Sequence, residues 1–166
     1  MPTTDIDFKD YLEVSRLSFE WAESYDTKDW DRLRRILTST VTIDYSEIGL
    51  QRWEAMDSEE YVAMVSSPDF LGAETLKTQH FLGQSWYERV SATEVTGHHQ
   101  IRAAHQAYTG PDLTEVKVKG HCHAVIEHYY RKVDGVWKLA GLKPIVRWNE
   151  YQFEEVFKAV QQKINA

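Results

Sequence analysis

The sequence predicts an α+β fold: a cone-shaped barrel made of one long curved mixed or antiparallel sheet, with helices packed on its concave face. Three observations carry that reading. The first half of the chain has helical periodicity. The second half has four long runs rich in β-branched and aromatic residues, separated by turn signals. The last residues form an amphipathic stripe. Helices followed by hairpin-linked strands are the α+β layout. A sheet that long must curl, and the apolar interior of a cone suits a small ligand. A chain of 166 residues has the usual size of one domain, and residues 1–166 are read as one.

Taken in order, Phe8, Leu12, Ser15 and Phe19 recur at helical spacing, with Thr4 or Asp5 able to cap the start and Tyr25-Asp26-Thr27 ending the helix. Residues 28–37 predict a second helix with Trp30, Leu33 and Leu37 on its buried stripe, and residues 41–45 a short strand. Asp57 followed by Glu60 marks a capping box for a helix through Val65. Strands are expected over 78–90, 94–108, 115–133 and 136–144, with turns at Ser91-Ala92-Thr93, Thr109-Gly110-Pro111-Asp112 and Asp134-Gly135. The last of these is a strong hairpin signal. Phe153, Val156, Phe157, Val160 and Ile164 follow the spacing of a one-sided closing helix.

Composition removes several function classes. The formal charge of -7 and the lack of a Lys/Arg run argue against nucleic acid and an anionic membrane surface as partners. One cysteine, Cys122, leaves no disulfide framework within the chain and no four-thiolate zinc site. The polar start, Met1-Pro2-Thr3-Thr4-Asp5, lacks a signal-peptide core, and no apolar run nears the ~20 residues of a membrane helix. A cytoplasmic location is expected. Neither Gly-x-Gly-x-x-Gly nor a phosphate loop is present to hold a nucleotide cofactor, and Ser66-Ser67 sits in no nucleophile elbow.

Seven histidines stand out, and strand parity sorts them. His105 shares a face with Ile101 and Ala103, and His80 with Thr78 and Leu82, so both are expected to point inward. Taken singly, an inward histidine is more often structural. Two of them, with tyrosines and an acid nearby, favour proton transfer near neutral pH. Asp26 reads either as a turn residue or as the acid that orients a histidine. Tyr45, at a strand end, reads alone as rim or core. His121, His123 and Glu127 share the other parity, with a spacing used by cupin metal sites. The second cupin half-motif is missing, and a polar outer face or a subunit contact is the expected role.

The chain also resembles the scytalone dehydratase family, the fungal enzymes of dihydroxynaphthalene-melanin synthesis. The segments that carry the resemblance are Trp21 through Asp26, Lys28 through Leu33, Ile43-Asp44-Tyr45, Trp53 through Met56, Met64 through Ser67, Thr78-Gln79-His80-Phe81, His105-Gln106, Lys119-Gly120-His121, Gly141 through Pro144, and Arg147-Trp148. It runs in register over nearly the whole chain. It implies a nuclear-transport-factor-like cone, a homotrimer, no metal or organic cofactor, and a small aromatic polyketide substrate. The implied catalytic residues are Tyr25, Tyr45, His80, His105 and Asp26. The implied substrate-binding positions are Trp21, Ile48, Met64, Phe70, Ala103, Ala124, Ile126, Phe153 and Phe157, with the last two on a closing helix. Five of these positions depart from the family pattern. Ala124 and Ile126 replace a serine and an asparagine, Ile48 a phenylalanine, and Phe70 and Ala103 replace valines. Losing the amide leaves a substrate hydroxyl unpartnered at a cost of roughly 1–3 kcal/mol. A substrate less polar or larger than scytalone is therefore expected, of reduced naphthol or anthraquinone type.

The mechanism expected for such a hydro-lyase takes His80 as base, with Tyr25 and Tyr45 polarising the carbonyl through a shared water. His105, held by Asp26, protonates the departing hydroxyl, although either histidine could serve both steps. The rival readings are a polyketide cyclase or isomerase on the same fold, a non-catalytic binding module, and a metal-dependent cupin-like enzyme.

Overall fold

A computed structural model describes residues 5–164. Helix α1 (Phe8–Thr27) leads to α2 (Trp30–Ile36), strand β1 (Leu37–Asp44), a 3₁₀ turn (Ser46–Ile48), β2 (Arg52–Asp57) and α3 (Ser58–Val65). Four long strands follow, β3 (Leu76–Ser91), β4 (Glu94–Tyr108), β5 (Val116–Val133) and β6 (Val136–Tyr151), and then α4 (Phe153–Ile164). They form one six-stranded sheet in the order β2-β1-β6-β5-β4-β3, antiparallel except where β1 runs parallel to β6. The expected curved mixed sheet with helices on its concave face is the fold observed. None of the described helices is long and apolar enough to cross a membrane.

Local chemistry explains most element boundaries. Asp7, not Asp5, caps α1, its carboxylate accepting from the Asp10 amide at 2.9 Å; Thr4 lies outside the described residues. The helix ends at Lys28, a left-handed residue with φ 58°. Asp57 caps α3, but it accepts from the Glu59 amide, so no box to Glu60 forms on that side. The β5–β6 hairpin turns at Asp134 (φ 50°) and Gly135 (φ 80°), two successive positive angles that match the twist of the flanking strands. Strand β6 continues past Pro144, where the sequence predicts its end. The pairing of β1 with β6 stops at Leu142, so a residue without an N–H disrupts no ladder on that side.

The face that α1 buries differs from the periodic set read in the sequence. Phe8, Leu12 and Phe19 are exposed, and the inward face carries Asp10, Val14, Ser18, Trp21, Ala22 and Tyr25. Its carboxylate and its serine hydroxyl are both engaged. The Asp10 carboxylate accepts from Trp137 Nε1 (2.7 Å), Arg89 (2.9 Å) and Lys132 (3.1 Å). The Ser18 hydroxyl donates to Val14 O (3.1 Å) and accepts from Tyr130 (2.6 Å). Tyr130 in turn accepts from His99 Nε2 and His128 Nδ1, both at 3.1 Å, and Ser85 donates to His99 Nδ1 at 2.8 Å. Each buried polar atom with a partner avoids a desolvation cost of about 1–3 kcal/mol. This network ties α1 to β3, β4 and β5.

Candidate active site

Strand register places the two inward histidines diagonally on neighbouring strands. Thr78 pairs with His105 and His80 with Ala103 across β3 and β4, and one parity carries all four into the cone. Both imidazoles are buried, with ring centroids 5.6 Å apart and ring planes nearly perpendicular.

The two rings have different supports. His80 Nδ1 lies 2.7 Å from Asp26 Oδ1, and the His80 amide donates to Asp26 Oδ2 at 2.8 Å. Thr78 donates its hydroxyl to the same carboxylate at 2.9 Å. Burial pushes the Asp26 pKa up, but the bonds and charge from His80 outweigh it and hold the group below its ordinary value. The expected pairing of Asp26 with His105 is therefore corrected: the α1 carboxylate meets β3, one strand short of His105. His105 instead donates from Nδ1 to the Gly120 carbonyl at 3.2 Å, which leaves Nε2 as a lone pair. Burial, reinforced by the neighbouring His80, lowers the His105 pKa to about 3, so it is neutral at physiological pH.

The phenols line the same space, and the Tyr25 ring packs edge-on against the His80 ring at 5.2 Å. The hydroxyls of Tyr25, from α1, and Tyr45, just after β1, are 3.1 Å apart. Burial raises the pKa of both, so they are neutral donors. A third phenol, Tyr61 of α3, hydrogen-bonds to Tyr25 and lies 3.5 Å from Tyr45.

These groups line a single apolar cavity. Of the expected positions, Trp21, Tyr25, Tyr45, Ile48, Phe70 and His80 contribute to its wall, and so do Ala103, His105, Ala124, Ile126, Phe153 and Phe157. Asp26 stands behind His80 instead, on a groove between α1 and β3. Met64 is not in the wall; it is partly buried and packs against the core. The structure adds Leu71, Ile101, Cys122 and Pro144. Parity could have found Cys122, which shares the face of Gly120, Ala124 and Ile126. Its thiol, pushed up to about 11 by burial, is a small neutral wall element.

Helix α4 closes the cavity. Phe153 and Phe157 pack edge-on against the His105 ring at 5.8 and 4.7 Å. Gly120 permits that approach: a Cβ there would stand 2.3 Å from Phe153 Cα. The same glycine supplies the carbonyl that orients His105, so one residue seats both the lid and the imidazole.

The His121, His123 and Glu127 constellation lies on the other side of the sheet and does not converge. His121 meets Tyr151 edge-on, His123 stacks on Trp148 at 4.5 Å and pairs with Glu150 at 3.2 Å, and Glu127 accepts from Tyr129. Among the described residues no cluster of three or more His, Cys, Asp or Glu is arranged to hold a metal ion.

Comparison with known proteins shows the family. The family model described as scytalone dehydratase matches residues 5–164. The scytalone dehydratase arp1 of Aspergillus fumigatus is 61% identical over 163 residues, 98% of this chain and 97% of the relative. The scytalone dehydratase of Colletotrichum orbiculare is 54% identical over 156 residues, 94% of this chain and 83% of the relative. Among solved structures, the Kfla4162 protein of Kribbella flavida superposes with a TM-score of 0.73 at 21% identity, covering 91% of this chain and 98% of that one. With the family model spanning every described residue and close relatives matched almost end to end, the chain belongs to the scytalone dehydratase family.

Proposed function

We propose that this hydro-lyase eliminates water from a β-hydroxy ketone of a reduced aromatic polyketide, of naphthol or anthraquinone type, in fungal pigment metabolism. One observation supports this above the others. Two imidazoles and two phenols line one apolar cavity, and only one of the imidazoles has a carboxylate behind it.

The asymmetry divides the labour. His80, with Nδ1–H held by Asp26, presents the Nε2 lone pair as base for the hydrogen beside the carbonyl. The imidazolium formed there is balanced by the buried carboxylate, as in hydrolase triads. The negative charge on the enolate oxygen is met by the Tyr25 and Tyr45 hydroxyls, directly or through one water. When the C–O bond breaks, the His80 imidazolium returns its proton to the leaving hydroxyl, and water departs. His105 cannot be a cationic acid at neutral pH with a pKa near 3. Its Nε2 accepts the hydrogen bond of the substrate hydroxyl and holds that group beside His80. One histidine serving both steps requires hydrogen and hydroxyl to leave from the same face. Positioned acid–base groups contribute roughly 10²–10⁴ in rate.

The wall formed by Ala124, Ile126 and Cys122 has no donor or acceptor for a distal substrate hydroxyl other than a weakly polar thiol. This supports a substrate less polar or larger than scytalone. A homotrimer fits the outer sheet face, where Phe81, Trp86, Trp148 and Tyr151 are all more than half exposed. Sedimentation velocity is expected to give three times the chain mass, and a monomer would contradict the assembly.

The reaction is tested by incubating purified protein with scytalone and with analogues lacking a ring hydroxyl. The expected product has lost one water, and the analogues react faster than scytalone. A product of unchanged mass would point to the cyclase or isomerase reading instead.

A further inference from the structure

We infer that Tyr61, which is not part of the cavity wall, is a positioning residue that fixes the donor direction of the Tyr25 and Tyr45 hydroxyls toward the substrate carbonyl. The inference rests on the dehydratase reading above and adds a residue to its carbonyl-polarising element.

The argument begins with the place of Tyr61 in α3. Tyr61, Val62 and Val65 of this helix are completely buried. A phenylalanine would fill the same space with no polar atom to satisfy, whereas a hydroxyl at such a site is costly unless bonded. Among the described residues, the acceptors within reach of the Tyr61 hydroxyl are the oxygens of Tyr25, in a hydrogen bond, and of Tyr45, at the outer limit of 3.5 Å.

Proton counting then sets the direction. A phenol has one proton to donate. With the Tyr45 oxygen at the outer limit of 3.5 Å, Tyr61 spends its proton on the closer Tyr25 oxygen. Tyr25 must therefore direct its own proton elsewhere, to Tyr45 at 3.1 Å or into the cavity. If Tyr25 donates to Tyr45, Tyr45 donates into the cavity. In either arrangement the chain of hydroxyls ends as a donor facing the substrate, and each link polarises the next. Without Tyr61, Tyr25 and Tyr45 can exchange the roles of donor and acceptor. The free donor is then split between two positions, and it loses the polarisation that the third hydroxyl supplies.

The test is Tyr61→Phe in the full chain, assayed on a hydroxy-ketone that the wild type dehydrates. The expected result is a fall in kcat of roughly tenfold, the loss of about one hydrogen bond in the transition state, with KM changed less than about twofold. The melting temperature should be unchanged or higher. A second readout guards against misfolding. Binding of an unreactive aromatic ketone is compared by calorimetry with binding of the same ring system lacking the carbonyl. Only folded protein binds either compound, so the ratio of affinities reads the donor direction alone. That ratio is expected to fall by several-fold in Tyr61→Phe. A kcat within about twofold of wild type, or an unchanged affinity ratio, overturns the role of Tyr61 while leaving the dehydratase reading intact. A wild-type protein that dehydrates none of the hydroxy-ketones overturns both.

Discussion

At the scale of single residues, the two histidines look alike in the sequence and differ in the fold. Asp26 sits behind His80, and the Gly120 carbonyl sits behind His105. His80→Ala and His105→Ala are each expected to abolish turnover with the fold retained, as measured by steady-state kinetics and circular dichroism. Asp26→Asn should lower kcat by roughly 10²–10⁴, since the amide can neither balance the imidazolium nor hold the same tautomer. A tenfold loss or less would remove the carboxylate from the mechanism. The substrate wall is testable in the opposite direction. Ile126→Asn, alone or with Ala124→Ser, should raise kcat/KM for a substrate with a distal hydroxyl by roughly tenfold over its deoxy analogue, read by competition between the two. The inward placement of His80 and His105 was legible from strand parity, and the family resemblance named the other candidate positions. The partner of Asp26 was not, because it depends on which strand α1 crosses, 54 residues away. Tyr61 gave no signal, because a tyrosine within an apolar helical stripe reads as core.

At the scale of elements, β4 was legible to the residue, since its alternation and flanking turns agree. Strand β2 was not. Arg52-Trp53-Glu54-Ala55-Met56-Asp57 lies at the sheet edge and buries only Met56, so it lacks the alternation that marks a half-buried strand. The face of α1 was misread for a related reason. Its buried side is held by Asp10 and Ser18 as much as by apolar residues, and hydrophobic periodicity does not register hydrogen bonds. The junction of β5 and α4 yields a prediction. Gly120→Ala forces a methyl group against the Phe153 backbone, so α4 must shift. A loss of about 1–3 kcal/mol in denaturant titration is expected, with a raised KM as Phe153 and Phe157 leave the cavity. Unchanged stability and KM would show that the lid does not depend on this contact.

At the scale of the whole molecule, the fold buries His99, His105 and His128 as neutral groups. Burial is the main cause in each case. It lowers His99 to about 4 and His105 to about 3 from 6.5, and holds His128 well below its usual range. Because the unfolded chain binds these protons more readily, stability is complete above pH 6.5 and falls as pH drops toward 4 and 3. Each group contributes up to about 1.4 kcal/mol per pH unit in that window. Urea midpoints measured from pH 7.5 to 4 should fall steeply below 6.5, with a slope of two to three protons. A flat profile would show that these imidazoles are solvated or paired as cations. The α+β cone as a whole was readable from the order of its elements, as helices first and hairpin-linked strands after.

The central claim is that the imidazole backed by Asp26 carries the proton in both halves of the elimination. A single-turnover assay comparing wild type with His80→Ala, following product by mass, tests it most directly. The account predicts loss of one water by the wild-type enzyme and a rate at the uncatalysed background for the folded variant. Dehydration by His80→Ala at a rate close to wild type would contradict it.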